Sequence, residues 1–226
     1  MTARKRLRIA QPRTRVEPIA LERRRDAAPL AVANPATASF VDYASRLATV
    51  LKNADWSRVA LLGEDLRCAW SQGRSLFICG NGGSAGNAIH LANDFLFGVA
   101  RESGLGLRVH ALSANASVLT CLANDLGYDK IFSAQLAVQG RPGDILLVFS
   151  GSGNSANIVA ALKQANAMGI KSYAVLAYDG GKCRQLANVA IHYAVDDMQI
   201  GEDLQLIIGH MLMQWLAAHP PETLQG

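Results

Sequence analysis

The stretch Asp144-Ile-Leu-Leu-Val-Phe149, followed directly by Ser150-Gly-Ser-Gly-Asn-Ser155, decides the fold. An uninterrupted apolar run of this length predicts a strand buried on both faces of a parallel sheet. The glycines and serines that follow predict a tight turn, and residues 156–168 predict a helix that Gly169 ends. Backbone N–H groups at the start of a helix favour an anion, and glycines allow close approach. The turn is therefore predicted to hold a phosphate group of a small metabolite.

A second unit of the same type comes earlier in the chain. The apolar segment Ser75–Cys79 predicts a strand, Gly80–Ser84 a turn, and the residues to about Phe97 a helix capped by Ser84 or Asn87. Neither turn has the lysine of a P-loop or the glycine spacing of a dinucleotide site. A single phosphate monoester is therefore a better candidate ligand than a nucleoside triphosphate.

The remaining pattern alternates strands with helices, which predicts a parallel sheet covered on both faces. The other predicted strands are 107–112, 172–176 and 189–193. The other predicted helices are 37–53, 57–72, one opened by Asn115 or Ser117 that runs toward Leu122, and about Glu202 to Ala218.

Charge is concentrated at the start of the chain. The first 25 of the 226 residues contain nine basic residues against two glutamates, so the basic character belongs to this segment. We predict a flexible basic extension over residues 1–35 and one domain over 36–226. The alternative is an arm that touches an acidic surface, nucleic acid or a partner subunit; no other nucleic-acid contact is expected.

Cysteine usage and hydropathy bear on the compartment. The four cysteines form no CxxC pair, which favours reduced thiols in a cytoplasmic protein. The apolar stretches are shorter than the roughly 18 residues that a membrane span requires. We therefore expect a cytoplasmic protein without a membrane segment.

Two His/carboxylate pairs are candidate chemistry-bearing residues. His90 and Asp94 are four apart and share one face of a predicted helix, while Glu202 and His210 are eight apart in the last helix. Such groups can bind a divalent metal or move protons. On spacing alone, a surface hydrogen bond and a buried, satisfied histidine are the stronger interpretations.

Seven motifs in order resemble the sugar isomerase (SIS) domain, and more narrowly the phosphoheptose isomerases, from about residue 40 to 218. They are Phe77-Ile-Cys-Gly-Asn-Gly-Gly-Ser-Ala85, His90 four before an acid, Leu122-Ala-Asn-Asp-Leu-Gly-Tyr128, Gly143-Asp-Ile-Leu-Leu, Ser150-x-Ser-Gly-Asn-Ser155, Asp179-Gly-Gly-Lys182 and Ile208-Gly-His210. The resemblance implies a flavodoxin-like three-layer α/β sandwich with a five-stranded parallel sheet, preceded by two N-terminal helices. It also implies a homotetramer with active sites at subunit interfaces.

The resemblance further implies isomerisation of sedoheptulose 7-phosphate to a heptose 7-phosphate. By position, Asp94 and His210 would be catalytic. Substrate and phosphate would be bound by Asn81, Gly82, Ser84, Asp125, Ser150, Ser152 and Ser155. Zinc, where bound, would be held by His90, Asp94, Glu202 and His210.

This chain departs from the pattern of that family at several of these positions. Glu usually stands where Asp94 is, Gln where Glu202 is, and a hydroxyl residue where Gly151 is. Two other interpretations therefore stay open. One is a non-catalytic SIS protein that binds a phosphosugar or regulates a partner, as one relative does in initiating replication. The other is an isomerase with a changed substrate.

Overall fold

The computed structural model describes residues 34–101 and 104–222. The chain divides between Tyr43 and Ala44 into two units. The described part of the first unit, residues 34–43, opens a helix, where the Asn34 side chain accepts a hydrogen bond from the Ala36 N–H at 3.0 Å. The second unit contains the sheet. Residues 1–33 of the predicted extension lie outside the described residues, so the boundary at residue 35 stays a prediction.

The five predicted strands and the predicted helices are all present, in the predicted order, together with two short helices that were not predicted. The helices are α1 Pro35–Lys52, α2 Ser57–Ser71, α3 Gly83–Leu96, α4 Ala116–Leu126, α5 Ser133–Gln139, α6 Ala156–Ala167, α7 Cys183–Leu186 and α8 Met198–Ala218. The strands are β1 Ser75–Cys79, β2 Arg108–Ala111, β3 Ile145–Ser150, β4 Lys171–Leu176 and β5 Val189–His192.

All five strands are parallel, in the order β2-β1-β3-β4-β5. This is the flavodoxin-like order, and it confirms the predicted fold class. The order reverses between β1 and β3, where Cys79 pairs with Val148. Ligands of open α/β sheets bind beyond the carboxyl ends of the strands at such a switch point. Both glycine turns leave the sheet there.

Alternation along the strands assigns residues to the two faces of the sheet. Phe77, Leu146 and Val148 belong to a core cluster that includes residues of α5 and α6. The intervening residues Ile78 and Leu147 are equally buried, on the face that α2, α3 and α8 cover. Helices on both faces satisfy the apolar sides of a parallel sheet, which explains the three-layer arrangement.

Several helix limits differ from the predicted ones for local reasons. Helix α8 begins at Met198, before the predicted Glu202, because the Asp197 carboxylate caps it by accepting from the Ile200 N–H at 3.1 Å. Helix α3 has Gly82 at its cap and no side-chain cap, so the expectation that Ser84 or Asn87 caps it is wrong. Asn115 caps α4 as predicted.

Two short helices have no clear signal in the sequence. Helices α5 and α7 were not predicted. Among the described residues, none forms a helix long and apolar enough to cross a membrane.

Candidate active site

A cavity of about 250 Å³ lies where the two glycine turns meet. It is lined by Asn81, Gly82, Gly83, Ser84, Phe149, Ser150, Gly151, Ser152, Ser155, Met198 and Glu202. The structure thus brings together every predicted substrate-binding residue except Asp125. The lining contains no lysine or arginine, so an anion there would depend on backbone N–H groups, hydroxyls and helix dipoles.

The turn after β3 uses its serine oxygens internally. The Ser150 hydroxyl oxygen accepts from the Gly153 N–H at 3.1 Å, and that of Ser152 accepts from the Asn154 N–H at 3.3 Å. Neither hydroxyl donates to another group in the described part of the chain. Because a hydroxyl has one proton and two lone pairs, each keeps its proton for a ligand.

The loop after β4 is hydrogen-bonded to this turn. The Lys182 N–H donates to Asn154 Oδ1 at 3.1 Å, and the Cys183 N–H donates to the Gly153 carbonyl at 2.9 Å. Gly153 has φ +64°, and a Cβ there would lie 2.0 Å from the Gly180 carbonyl oxygen. Only glycine fits, so the close contact of the two loops fixes the shape of the turn that is predicted to bind an anion.

The missing hydroxyl at Gly151 has a steric explanation. A Cβ at Gly151 would lie 2.5 Å from the sulfur of Met198, the first residue of α8. The methionine therefore occupies the space that a side chain at position 151 would need. This part of the cavity wall is apolar where the resembling family has a hydroxyl.

A reciprocal amide pair joins the two turns. Asn81 and Asn157 donate to each other's side-chain oxygen, both at 2.8 Å, and the Tyr128 hydroxyl donates to Asn81 at 3.2 Å. Asn157 is 2% exposed. Asn157 is not among the predicted site residues; the signal in the sequence is its place two residues after Ser155, in the first turn of α6.

Helices α3 and α8 bring two histidines and one carboxylate together. The Nε2 atoms of His90 and His210 are 3.0 Å apart, and Asp94 Oδ2 lies 3.4 Å from the first and 3.5 Å from the second. Helix α8 approaches closely because Gly209 has no side chain; a Cβ there would be 2.3 Å from Leu91 of α3. Spacing paired His90 with Asp94, the resemblance grouped both with His210 and Glu202, and the structure brings the first three together.

Glu202 and Asp125 stand apart from the groups to which the resemblance assigns them. The Glu202 carboxylate packs against Gly83, where a Cβ would be 2.3 Å from Oε2, and it lines the cavity between the two glycine turns. It is not one of the three ligand-type residues that converge. Asp125, in the last turn of α4, accepts from the Asn124 amide at 2.7 Å and from the Cys121 thiol at 3.6 Å. Metal binding by Glu202 and sugar binding by Asp125 stay predictions.

Comparison with known proteins identifies the class. The SIS domain model matches residues 39–177. A phosphoheptose isomerase of Chlorobaculum parvum is 36% identical over 178 residues, which cover 76% of this chain and 83% of the relative. The chain belongs to the SIS domain family.

Within that family the chain falls among the phosphoheptose isomerases. A solved phosphoheptose isomerase from Francisella tularensis superposes with a TM-score of 0.76, and one from Neisseria gonorrhoeae with 0.74. Each is 25% identical to this chain. The two matches cover 80% and 81% of this chain and 96% and 99% of the respective relatives.

Proposed function

We propose that this protein is an aldose–ketose isomerase that converts sedoheptulose 7-phosphate to D-glycero-D-manno-heptose 7-phosphate. The family relationship supports this reaction class. The observation that carries the proposal is that the phosphate cavity and the cluster of His90, Asp94 and His210 share helix α3.

The separation between these two parts suits a seven-carbon sugar. Ser84 in the cavity precedes His90 by six residues, or about 9 Å along the helix axis. An extended sugar has eight bonds between C1 and a phosphorus on C7, which at about 1.2 Å of advance per bond is about 10 Å. A phosphate in the cavity would therefore leave C1 and C2 beside the cluster.

The cluster contains the groups that the reaction needs. Converting the ketose to the aldose removes a proton from C1 and returns it to C2, while the O1 proton leaves and O2 gains one. We assign the carbon-bound proton to the Asp94 carboxylate and the hydroxyl protons to His210. Because the His90 and His210 nitrogens are 3.0 Å apart, one neutral ring donates to the other, and His90 can hold the orientation of His210.

The same three residues fit a zinc ion. Tetrahedral zinc with bonds of about 2.0–2.1 Å places its ligand atoms about 3.3–3.4 Å apart, close to the 3.0–3.5 Å among the two histidine nitrogens and the Asp94 oxygen. We propose His90, Asp94 and His210 as the ligands of a metal-loaded form. In that form the same atoms would hold the metal, so the proton transfers assigned to Asp94 and His210 above, and the His90–His210 hydrogen bond, belong to the metal-free form. A bound zinc would act as a Lewis acid that polarises the sugar oxygens.

We also propose the homotetramer and the cytoplasmic location that the resemblance implies. Helix α1 has no buried residue, and its Phe40 is 71% exposed in the single chain. Neighbouring subunits would cover such a side chain. All four cysteines are free thiols, as the cytoplasm favours. Sedimentation should give about four times the chain mass of 24.1 kDa; a monomer would contradict the tetramer.

The direct test is turnover of sedoheptulose 7-phosphate by the full chain, with and without added zinc. We expect an aldose heptose phosphate to form, detected by NMR. Sedoheptulose without phosphate is the matched control, and it should react far more slowly. Absence of any product in both metal states would contradict the isomerase proposal.

The second candidate is a non-catalytic phosphosugar-binding protein. The observation in its favour is the Glu202 carboxylate in the phosphate cavity, where the resembling family has a neutral amide. Calorimetric binding of sedoheptulose 7-phosphate without turnover would support this alternative over the enzyme.

A further inference from the structure

A buried chain of amides leads from helix α8 to the Ser84 hydroxyl at the phosphate cavity. Gln205 is 1% exposed and Ser84 is 4% exposed. Gln205 Nε2 donates to Ser84 Oγ at 3.0 Å, and Gln205 Oε1 accepts from Asn87 Nδ2 at 3.0 Å. The same Asn87 nitrogen donates to the backbone carbonyl of Glu202 at 3.0 Å.

The chemistry of these groups fixes which partner donates and which accepts in each of these hydrogen bonds. A backbone carbonyl can only accept, so the atom of Asn87 that faces the Glu202 carbonyl must be the nitrogen. That nitrogen also faces Gln205, which must therefore present its oxygen to it. The other end of the Gln205 amide is then the nitrogen, and the Ser84 oxygen must accept from it.

The Ser84 proton consequently has no acceptor inside the described part of the chain. A serine in a helix can donate to the carbonyl four residues before it. For Ser84 this would be the Gly80 carbonyl, but Ser84 makes no hydrogen bond to it, and that carbonyl accepts from the Ser113 hydroxyl at 3.0 Å. Ser150 and Ser152 also accept hydrogen bonds and donate none within the residues that the structure describes. Three hydroxyls around one cavity therefore each have a proton free to donate to a ligand.

We propose that Gln205 is a positioning residue, which turns the Ser84 hydroxyl proton into the cavity as a donor to the phosphate of the substrate. The inference rests on the proposed function in that the ligand is a sugar phosphate. Gln205 itself is buried behind Ser84 and is not among the residues that line the cavity. It acts on the ligand only through the orientation of Ser84.

The test uses two variants of Gln205. Gln205→Glu replaces the donor to Ser84 by an acceptor, and Gln205→Met removes the hydrogen bond to Ser84 altogether. Between about pH 9 and 10 the new carboxyl is mostly ionised, since buried glutamates reach a pKa of about 8–9. It then accepts from both neighbours, so the Ser84 proton turns away from the cavity. We expect the Kd for inorganic phosphate and for sedoheptulose 7-phosphate to rise about 30-fold with Gln205→Glu and about fivefold with Gln205→Met.

The matched background is Ser84→Ala, which removes the hydroxyl through which Gln205 is proposed to act. In that background each Gln205 variant should change Kd by less than about threefold, measured by titration calorimetry. Thermal denaturation checks that every variant is folded. If Gln205→Glu does not fold, the Gln205→Met pair provides the same comparison.

The outcomes separate this inference from the proposed function. Equal losses in both backgrounds, or an unchanged Kd in Gln205→Glu, would overturn the inference alone. Phosphate binding without turnover, with the coupling intact, would support the inference and contradict the isomerase. A wild-type protein that binds neither ligand would overturn both.

Discussion

The two strand–turn–helix units have the same backbone plan and different surroundings. The turn between β3 and α6 is stabilised by its own serines and by the loop at Lys182–Cys183. The turn between β1 and α3 is held by the Ser113 hydroxyl and by Asn157, and the helix that follows it is also tied to α8 through Gln205 and the Glu202 carbonyl. The first arrangement gives a preformed turn for the proposed anion site, whereas the second links one side of that proposed site to the helix that supplies His210.

Under the proposed function, the unit of β3 and α6 mainly binds the phosphate, whereas the unit of β1 and α3 also supplies the residues that move protons. Helix α6 presents a mainly apolar face to the sheet, with Ile158, Ala161 and Leu162 fully buried. Helix α3 buries fewer residues and leaves a polar face on which His90 and Asp94 meet α8. We therefore expect changes in the two units to affect different measured quantities.

The largest expected effect is loss of turnover from the α3 unit. Asp94→Asn removes the proposed base and should lower kcat about a thousandfold, while the Kd for sedoheptulose 7-phosphate changes less than about threefold. Steady-state kinetics and calorimetry measure the two quantities. The matched change in the other unit, Ser152→Ala, should raise Kd roughly tenfold and leave kcat within about threefold. An Asp94→Asn enzyme with unchanged kcat would refute the assignment.

An intermediate effect is expected where the two units are joined. Asn157→Leu removes both hydrogen bonds of the pair with Asn81 and should lower the free energy of unfolding by about 2 kcal/mol. Both kcat and phosphate affinity should fall, since both turns lose a support. Chemical denaturation measures the stability. Lys163→Met, at an exposed site of the same helix, is the control and should change it by less than about 0.5 kcal/mol. An effect on one function alone would mean that the units are not coupled through this pair.

The smallest effect is expected at the start of α8, outside both units. Hydrogen bonds from the Arg46 guanidinium and then from the Ile200 N–H lower the pKa of Asp197 below its usual 3.8. A group with a lowered pKa stabilises the fold above its usual pKa, and this stabilisation is lost as pH falls through the lowered value. Asp197→Asn should therefore have a lower Tm than the wild type near neutral pH. The difference in Tm between the two proteins should become smaller below about pH 4. A difference that does not depend on pH would contradict the role of the charge.

Much of the fold follows from local patterns in the sequence. The apolar run at 144–149 and the turn residues after it led to a correct parallel sheet, because buried strands between glycine turns have few alternatives. Errors came at helix ends and in short helices. The early start of α8 follows from the Asp197 cap, a local signal only three residues from the Ile200 N–H, which the sequence contained and the prediction missed. Helix α5 is short and buries Ser133 and Gln135 besides Leu136, so it lacks a clear apolar period.

The site was predictable to a different degree in its two parts. The serines of the β3 turn could be found from sequence because all of them lie in one loop. Gln205 and Asn157 could not, since each acts on a residue more than 70 positions away. Glu202 and His210 were grouped by helical spacing, yet they are about 12 Å apart along α8, and their side chains serve different neighbours.

The sequence by itself determined the parallel α/β fold, the two glycine turns and the pairing of His90 with Asp94. These depend on periodicity and on contacts within a few residues of the chain. Only the tertiary structure decided that His210, and not Glu202, of the residues grouped by the resemblance meets that pair, that Glu202 lines the cavity between the turns and that Gln205 hydrogen-bonds to Ser84. These outcomes depend on the rotation and closeness of α8 against α3, which are set by packing between distant segments, including the contact of Gly209 with Leu91.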